Sequence, residues 1–286
     1  MDDVDSILGE LSTLLSSAVE GLCEEKTGVV FSSGVDSALI ASLAAECCEI
    51  MAYAVGFEGS PDVDCARSVE SELGFPVEYV SLSHDMIEDA VPEILGIVGE
   101  PNPVKVGVGI PFYYASKKAF EDGFSVMLCG QGGDELFGGY WRYVDAYVSE
   151  GGGKVVEMMK SDVKTADDDN LDRDRAVCRH NGVELRIPYI GEKFMEYVEG
   201  LPIDLKVREV DQSFSEFTCI DEVEGRRFVR KYVLRLLARK HGLPERVINR
   251  SKKAAQYGSA VNKHLEKIAR KNGFQHTREY LESFKI

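Results

Sequence analysis

The sequence predicts an α/β fold with a mainly parallel sheet, helices on both faces of the sheet, and a C-terminal helical layer. Up to residue 140, short apolar segments alternate with helical patterns, which is typical of parallel strands covered on both faces. Beyond that point the apolar residues keep helical spacing and little strand signal remains. We therefore expect an α/β core with an N-terminal helix in residues 1–150, and a mostly helical part in residues 151–286 that completes the active site.

The individual elements follow from local patterns. Apolar residues at helical spacing predict an opening helix over residues 4–20. Gly151–Gly153 is expected to break the regular secondary structure, and Thr165–Asn170 to form an acidic, exposed stretch. Short apolar runs predict four strands, and the stretches between them predict three further helices. The strands span residues 28–31, 51–56, 77–81 and 125–129, and the helices residues 38–45, 62–73 and 111–122.

The composition is globular, with a strongly acidic balance. The 286 residues are 44% hydrophobic and 29% charged, no apolar run reaches the length of a membrane span, and the acidic start differs from a signal peptide. We expect a cytoplasmic protein with no membrane partner. The 49 acidic and 33 basic residues give a net charge of −16, which repels phosphodiester backbones, so no nucleic-acid partner is expected.

The seven cysteines are an odd number and include no C-x-x-C pair. This pattern suits neither a secreted disulfide framework nor a typical zinc site. We expect most of them to be small buried hydrophobic residues.

A loop rich in small residues follows the first predicted strand. The segment FSSGVDSALIAS leaves that strand at Phe31, passes two serines and a glycine, and enters a helix near Asp36. Small residues let backbone N–H groups approach an anion, and the helix N-terminus adds a favourable dipole, so the loop from Ser32 to Ser37 predicts a phosphate site. Asp36 beside a phosphate indicates a Mg2+ ligand. The alternative is a plain turn in which Asp36 only favours the first helical turn.

A second glycine-rich motif follows the fourth predicted strand. Residues 124–143 read FSVMLCGQGGDELFGGYWRY and place Asp134 at the C-terminal end of a strand, where open α/β sheets bind ligands. Two aspartates that face one polyphosphate can hold Mg2+. Here the alternative is a tight turn with a helix cap at Asp134.

Together, the two motifs resemble those of the N-type ATP pyrophosphatases and, within that group, of the asparagine synthetase family. In that family a serine-glycine-glutamate-glycine run precedes aspartate-glutamate and F-G-G-Y. Three further segments resemble the family in the same order: AYAVGFEGSPDVDCA, RHNGVELRIPYI and RKYVLRLLARKHGLPERVINRSKK. The resemblance covers nearly the whole chain, is to the synthetase domain alone, and implies an adenine nucleotide alpha hydrolase-like fold.

The resemblance implies ATP and Mg2+ as ligands and a role for each matching residue. Ser33 replaces the family's glycine and adds a hydroxyl to the loop. Mg2+ is expected on Asp36 and Asp134. Pyrophosphate is expected on Ser32, Gly34, Asp36 and Ser37. Adenosine is expected to be framed by Phe31, Val55, Cys129 and Gly130.

The basic residues near the C-terminus divide into two groups. Lys252 matches the family's catalytic lysine, which neutralises charge that develops on the phosphates. Without the motif, Lys252 would be interpreted as part of a solvated basic segment. A basic helix is expected upstream, in which Lys231 and Arg235 fit the family pattern and the others are surface charges: Arg226, Arg227 and Arg230.

The sequence departs from the family pattern at three places. Gln131 stands at the catalytic position where the family has a glutamate, and an amide cannot act as a general base. The segment PNPVKVGVGIPFYYASK lies where the family selects its amino acid, but its glycines and valines do not resemble an aspartate site. The family's glutaminase domain is absent from this sequence, so nitrogen is expected from free ammonia, from a separate glutaminase chain, or from an amine.

These observations predict an ATP-dependent carbon–nitrogen ligase. It would activate a carboxylate, aspartate by default, as an acyl-adenylate with release of pyrophosphate, and then transfer ammonia or an amine. The alternatives are adenylation of a different substrate such as a nucleobase, or a nucleotide-binding relic without activity. The sequence leaves an oligomer possible.

Overall fold

A five-stranded parallel sheet lies at the centre of the protein. The computed structural model describes residues 4–166 and 171–284. The strands of this sheet are β1 (Lys26–Val30), β2 (Glu49–Gly56), β3 (Val77–Ser81), β4 (Val126–Leu128) and β5 (Glu184–Arg186). They lie in the order β3-β2-β1-β4-β5, and all four pairings are parallel. This arrangement confirms the predicted α/β fold and adds β5, a strand that the sequence analysis did not predict.

Helices cover both faces of the sheet. In chain order, the first ten are α1 (Val4–Glu20), α2 (Val35–Ala45), α3 (Pro61–Val69), α4 (His84–Val98), α5 (Pro103–Glu121), α6 (Gly133–Phe137), α7 (Trp141–Glu150), α8 (Gly152–Ala166), α9 (Asp172–His180) and α10 (Glu192–Gly200). They are followed by α11 (Ile203–Lys206), α12 (Tyr232–Lys240), α13 (Glu245–Ile248), α14 (Ala255–Gly258), α15 (Val261–Lys271) and α16 (Thr277–Glu282). Within the described ranges no helix combines the length and apolar character that a membrane span needs.

Each face of the sheet has its own apolar core. Strand side chains alternate between the faces, so Ala52 and Ala54 of β2 point to one core and Tyr53 and Val55 to the other. The first core is completed by α1, α2, α10 and α12, and the second by α4, α5, α9 and α15. Packing on both faces holds the strand ends in fixed relative positions.

A second, antiparallel sheet corrects one expectation. It consists of β6 (Val207–Val210), β7 (Asp221–Val223) and β8 (Arg226–Arg230), in the order β6-β8-β7. The expected basic helix over these arginines is wrong, because the chain is a strand up to Arg230 and helical only from Tyr232. Arg230 is also not a surface charge: it is buried, and its Nε lies 2.6 Å from Oδ2 of Asp221.

Helix α4 was not predicted, and several element boundaries also differ from the predictions. Helix α5 begins at Pro103 rather than near residue 111, because Oδ1 of Asn102 accepts from the backbone N–H groups of Val104 and Lys105 at 3.0 and 3.3 Å. The expected break at Gly151–Gly153 is confined to Gly151, since α8 starts at the next residue. The expected acidic stretch begins within α8, and its residues 167–170 lie outside the described part of the chain.

The cysteines do not follow the expectation that most are buried. Three are buried, but Cys47 is exposed, and Cys23, Cys48 and Cys65 are half-buried. The division of the chain near residue 150 stays a prediction. Strand β5, from the later part, pairs with β4 of the earlier part.

Candidate active site

Two loops meet where the strand order of the central sheet reverses. Strand β1 pairs with β2 on one side and with β4 on the other, so that Val29 aligns with both Ala52 and Leu128. The loops that follow β1 and β4 therefore leave the sheet side by side, at its carboxyl edge. Open α/β sheets bind their ligands in the crevice at such a switch point.

Gly130 allows these two loops to approach each other. A Cβ atom on Gly130 would lie 2.8 Å from the backbone N of Ser37 and 2.9 Å from Cβ of Asp36, closer than real Cβ atoms come to such neighbours. Any side chain here would push the loop after β4 away from the N-terminus of α2. The glycine thus brings the loop that carries Asp134 close to Asp36.

The loop from Ser32 to Ser37 presents polar groups around the start of α2. Gly34 is the N-cap residue, and no side chain of the described residues caps this helix start. Oγ of Ser32 lies 3.1 Å from Oγ of Ser37, which also accepts from the backbone N–H of Ser32 at 3.2 Å. An uncapped helix N-terminus flanked by two hydroxyls is a favourable environment for phosphate oxygens.

Ser33 adopts a left-handed backbone conformation, with φ of +52°. Glycine adopts this conformation without strain, so a serine needs compensating contacts. The hydroxyl supplies them: it is buried, lies 2.7 Å from the carbonyl oxygen of Ser32 and 2.9 Å from that of Asp62, and accepts from Nη1 of Arg250 at 2.6 Å. Ser33 therefore supports the loop from behind.

Arg250 links the groups that stabilise the loop from Ser32 to Ser37. Its guanidinium donates to the carbonyl oxygen of Ser32 and to the hydroxyl of Ser33, and its Nη2 lies 2.6 Å from Oδ1 of Asp62. Burial raises the pKa of Asp62, and the adjacent guanidinium opposes that rise. The backbone of the phosphate loop is thus tied to α3 and to the segment after α13.

Two carboxylates and two ammonium groups form a cluster in front of the loop. Nζ of Lys231 lies 2.6 Å from both carboxylate oxygens of Asp36 and 2.7 Å from Oδ1 of Asp134. Nζ of Lys252 contacts Oδ2 of Asp134. Burial alone would raise the pKa of Asp134, but the two lysines hold it well below its usual range. Burial likewise opposes the charge on Lys252, and the two aspartates raise its pKa.

Lys231 reaches this cluster through an unusual backbone position. It links β8 to α12 with φ of +56°, and only 1% of its side chain is exposed. Gly139 leaves space for it, since a Cβ atom there would overlap Cε of Lys231 and the Asp134 carboxylate. A strained residue that is buried between two carboxylates indicates a functional role.

Gln131 contacts a buried ion pair rather than the phosphate loop. Its Nε2 donates to Oδ2 of Asp174 at 2.6 Å, and Nε of Arg173 lies 2.7 Å from the other oxygen of the same carboxylate. Asp174 is completely buried, and burial raises its pKa although Arg173 and Gln131 oppose the rise. A glutamate at this position would place a second carboxylate against Asp174, whereas the glutamine amide donates a hydrogen bond to it.

Glu135 is a carboxylate with a different environment from its neighbour Asp134. It is buried and accepts from the hydroxyl of Tyr140. Burial and the charge of Asp134 raise its pKa, whereas Tyr140 and Lys231 lower it by less. Two adjacent carboxylates with pKa values displaced in opposite directions are typical of acid–base sites.

A pocket of about 280 Å³ joins these groups. Arg173, Leu171 and Gln256 contribute to its lining, and helix α5 provides an apolar wall of Val104, Val108 and Phe112. The residues from the sequence analysis that line it are Ser32, Asp36, Ser37, Cys129, Gly130, Gln131, Asp134 and Lys252. Gly34 lines an adjoining recess together with Lys231.

Three residues of the sequence analysis lie behind the pocket. Ser33 is the support described above. Phe31 is buried, and its ring packs edge-on against Phe75 with centroids 5.7 Å apart. Val55 is buried in the apolar core on the α5 side of the sheet. The adenosine-framing roles of Phe31 and Val55 stay predictions.

The sequence analysis missed several residues of the site. Lys231 matched the family pattern but was not assigned to the cluster. Arg250 carried a signal in the R-x-K motif. Asp62 lies in the AYAVGFEGSPDVDCA segment but was not singled out, and no sequence signal pointed to the Arg173–Asp174 pair.

The residues present fit a magnesium ion with bound phosphate. Asp36 and Asp134 offer hard oxygen ligands, and one ammonium group already contacts both carboxylates, so they lie within reach of a single cation. We propose that these two aspartates would hold Mg2+ when a nucleotide is bound.

The parallel sheet, with a loop of small residues at its switch point, defines an open α/β protein whose ligand site lies at the carboxyl edge of the sheet. The chain belongs to the asparagine synthase family, whose model matches residues 10–157 and 147–283. It is 38% identical, over 283 residues, to a Methanocaldococcus jannaschii protein assigned as a glutamine-hydrolysing asparagine synthetase, covering 93% of this chain and 52% of that one. It is 27% identical to the glutamine-hydrolysing asparagine synthetase of Gallus gallus, covering 72% of this chain and 38% of that one.

The chain thus spans about half or less of the length of these relatives. Among solved structures, an NMN synthetase of Francisella tularensis matches with a TM-score of 0.45 and 12% identity, covering 99% of this chain and 94% of that one. A U34-tRNA thiolase of Methanococcus maripaludis matches with a TM-score of 0.41 and 15% identity, covering 99% and 82%.

Proposed function

We propose that this protein is an AMP-forming ligase that uses ATP to convert a carboxylic acid, aspartate by default, into an amide. The observation that carries the proposal is a charged cluster in front of the phosphate loop and the uncapped start of α2. The cluster consists of Asp36, Asp134, Lys231 and Lys252. Membership of the asparagine synthase family supports aspartate as the acid.

In the first step, a carboxylate oxygen of the acid attacks the α-phosphorus of ATP. A C–O–P linkage forms, the bond to the β-phosphate oxygen breaks, and pyrophosphate leaves. Ser32, Ser37 and the start of α2 would hold the leaving phosphates, and Lys252 would stabilise their developing charge. Bound Mg2+ would supply further neutralisation of phosphate charge.

In the second step, ammonia or an amine attacks the acyl carbon and AMP leaves. The attacking nitrogen must lose a proton, and Gln131 cannot accept it. Glu135 lines the same pocket, where its carboxylate could accept this proton. We assign the proton-accepting role to Glu135, and to Gln131 the positioning of Asp174. The nitrogen would come from free ammonia or from a separate glutaminase chain.

An acid with an apolar side chain is the second candidate substrate. Val104, Val108 and Phe112 form one apolar wall of the pocket. Such an apolar wall favours an acid with an apolar side chain over aspartate.

The test is exchange of labelled pyrophosphate into ATP across a panel of carboxylic acids, with and without ammonia. Exchange that depends on aspartate supports the leading proposal, and exchange with an apolar acid replaces the substrate. The variant Asp36→Ala should lose about a hundredfold or more of the exchange rate, as expected when a charge-stabilising group is removed. The exposed Asp85 provides the control Asp85→Ala. Unchanged exchange in Asp36→Ala would sink the site assignment, and no exchange with any acid would favour a nucleotide-binding protein without ligase activity.

A further inference from the structure

Three cysteines meet at the protein surface, at the opposite end of α2 from the phosphate loop. Cys23 follows the end of α1, and Cys47 and Cys48 follow the end of α2. Their three Sγ atoms all lie within 4.8 Å of one another, and those of Cys23 and Cys47 are 3.7 Å apart. All three are free cysteines. The sequence did not indicate this cluster, because Cys23 lies 24 positions from Cys47 and the three cysteines do not form a C-x-x-C motif.

The distance between the Cys23 and Cys47 sulfurs matches that of two thiolates on one metal ion. A zinc–sulfur bond is about 2.3 Å long, so two sulfur ligands of a tetrahedral zinc ion lie about 3.8 Å apart. A disulfide would need about 2.05 Å. Soft thiolate ligands favour thiophilic ions over Mg2+, which takes oxygen ligands.

The surroundings also favour a cation. Helices α1 and α2 both end at the cluster, and the carbonyl groups at a helix C-terminus carry partial negative charge. The carbonyl oxygen of Ala44 lies 3.3 Å from Sγ of Cys47 and 3.4 Å from Sγ of Cys48. The adjoining residues along the chain are acidic: Glu20, Glu24, Glu25, Glu46 and Glu49.

We propose that Cys23, Cys47 and Cys48 bind one Zn2+ ion, with the fourth position taken by water or a neighbouring carboxylate. Zinc replaces the three thiol protons, which pass to the solvent, so the affinity rises with pH. Cys47 is exposed, which gives the ion access without unfolding. The ion would fix the C-terminal end of α2, an 11-residue helix whose N-terminus lies at the phosphate loop, about 16 Å away. This role is structural and independent of the proposed ligase activity.

The experiment is a titration of reduced, metal-free protein with Co2+, followed by displacement with Zn2+. We expect one Co2+ per chain, a thiolate-to-cobalt charge-transfer absorption, and loss of that absorption when Zn2+ is added. Cys48→Ser should weaken the binding at least about tenfold. Cys65→Ser is the matched control, because Cys65 is half-buried and outside the cluster, and it should bind as the wild type does.

Three results would overturn the proposal. They are a wild-type spectrum without thiolate-to-cobalt absorption, equal Co2+ affinity in Cys48→Ser and wild type, and a Cys23–Cys47 disulfide in place of bound metal after purification without reductant. Binding is measured by absorption and not by activity, so its outcome is separate from that of the pyrophosphate exchange.

Discussion

Replacing Gln131 with glutamate would put a second carboxylate against Asp174. The Gln131 Nε2 atom lies 2.6 Å from Oδ2 of Asp174, and Asp174 is fully buried. At that distance and an effective dielectric constant of about 20, two unit charges repel by about 6 kcal/mol. Retaining one proton on the pair costs less: about 5 kcal/mol near pH 8 and about 1.6 kcal/mol near pH 5.5, given an unfolded glutamate pKa of about 4.3. The pair therefore keeps a proton across this range.

The sign of the pH dependence follows from that proton. The folded variant holds a proton that the unfolded chain releases, so its stability falls as the pH rises above the unfolded pKa. The loss in free energy of unfolding caused by Gln131→Glu should grow by about 3 kcal/mol from about pH 5.5 to about pH 8. Arg173, on the other oxygen of Asp174, reduces this figure.

The assay is equilibrium denaturant unfolding of wild type, Gln131→Glu and Gln131→Met at both pH values. Gln131→Met removes the hydrogen bond without adding a charge, so its loss should change less with pH than the loss in Gln131→Glu. An equal loss at both pH values in Gln131→Glu would show that the new carboxylate turns away from Asp174, which would refute the reasoning.

Two further predictions concern the charged cluster and the second chemical step. Lys231→Met leaves the Asp36 and Asp134 carboxylates without their shared cation and should cost about 3–5 kcal/mol of unfolding free energy; millimolar Mg2+ should restore more stability to this variant than to wild type, and an equal response would contradict the assignment of these aspartates as Mg2+ ligands. Glu135→Gln keeps an acceptor for Tyr140 but removes the base, so amide formation should fall about a hundredfold or more while pyrophosphate exchange continues. Equal losses in both reactions would contradict a role for Glu135 in the second step.

The central sheet could be predicted because its strands are apolar and separated by helical patterns. Strand β5 was missed because it has three residues, of which only Leu185 is apolar, and this is too short for a periodic signal. Strand β8 was misread because its sequence, RRFVR, is basic. Two of its arginines pair with carboxylates on neighbouring strands: Arg226 with Glu209 at 2.7 Å and Arg230 with Asp221 at 2.6 Å. Such partners belong to the tertiary fold and cannot be read from a local window.

In the candidate site, too, local motifs indicated some residues, whereas the others depend on the tertiary fold. Motifs indicated Asp36, Asp134 and Lys252, because each lies in a segment whose order of residue types is characteristic. Lys231 contacts Asp36 across 195 positions in the chain, and its left-handed backbone depends on the junction between β8 and α12. The compensation for the strain at Ser33 likewise depends on Arg250, which comes from a distant segment.

The acidic chain presents a cationic surface to the phosphate loop. Interactions between exposed charges are largely screened beyond about 10 Å at about 0.1 M salt, so the local balance of charge determines the affinity for a compact anion. The net charge of −16 therefore does not oppose a polyphosphate held in this recess, whereas it does oppose a nucleic acid, whose backbone would extend far beyond it. The acidic composition thus argues against a nucleic acid, and the cationic recess is compatible with a polyphosphate. Five cationic and two acidic side chains line the recess: Lys231, Arg235, Arg250, Lys252 and Lys253, with Asp36 and Asp62.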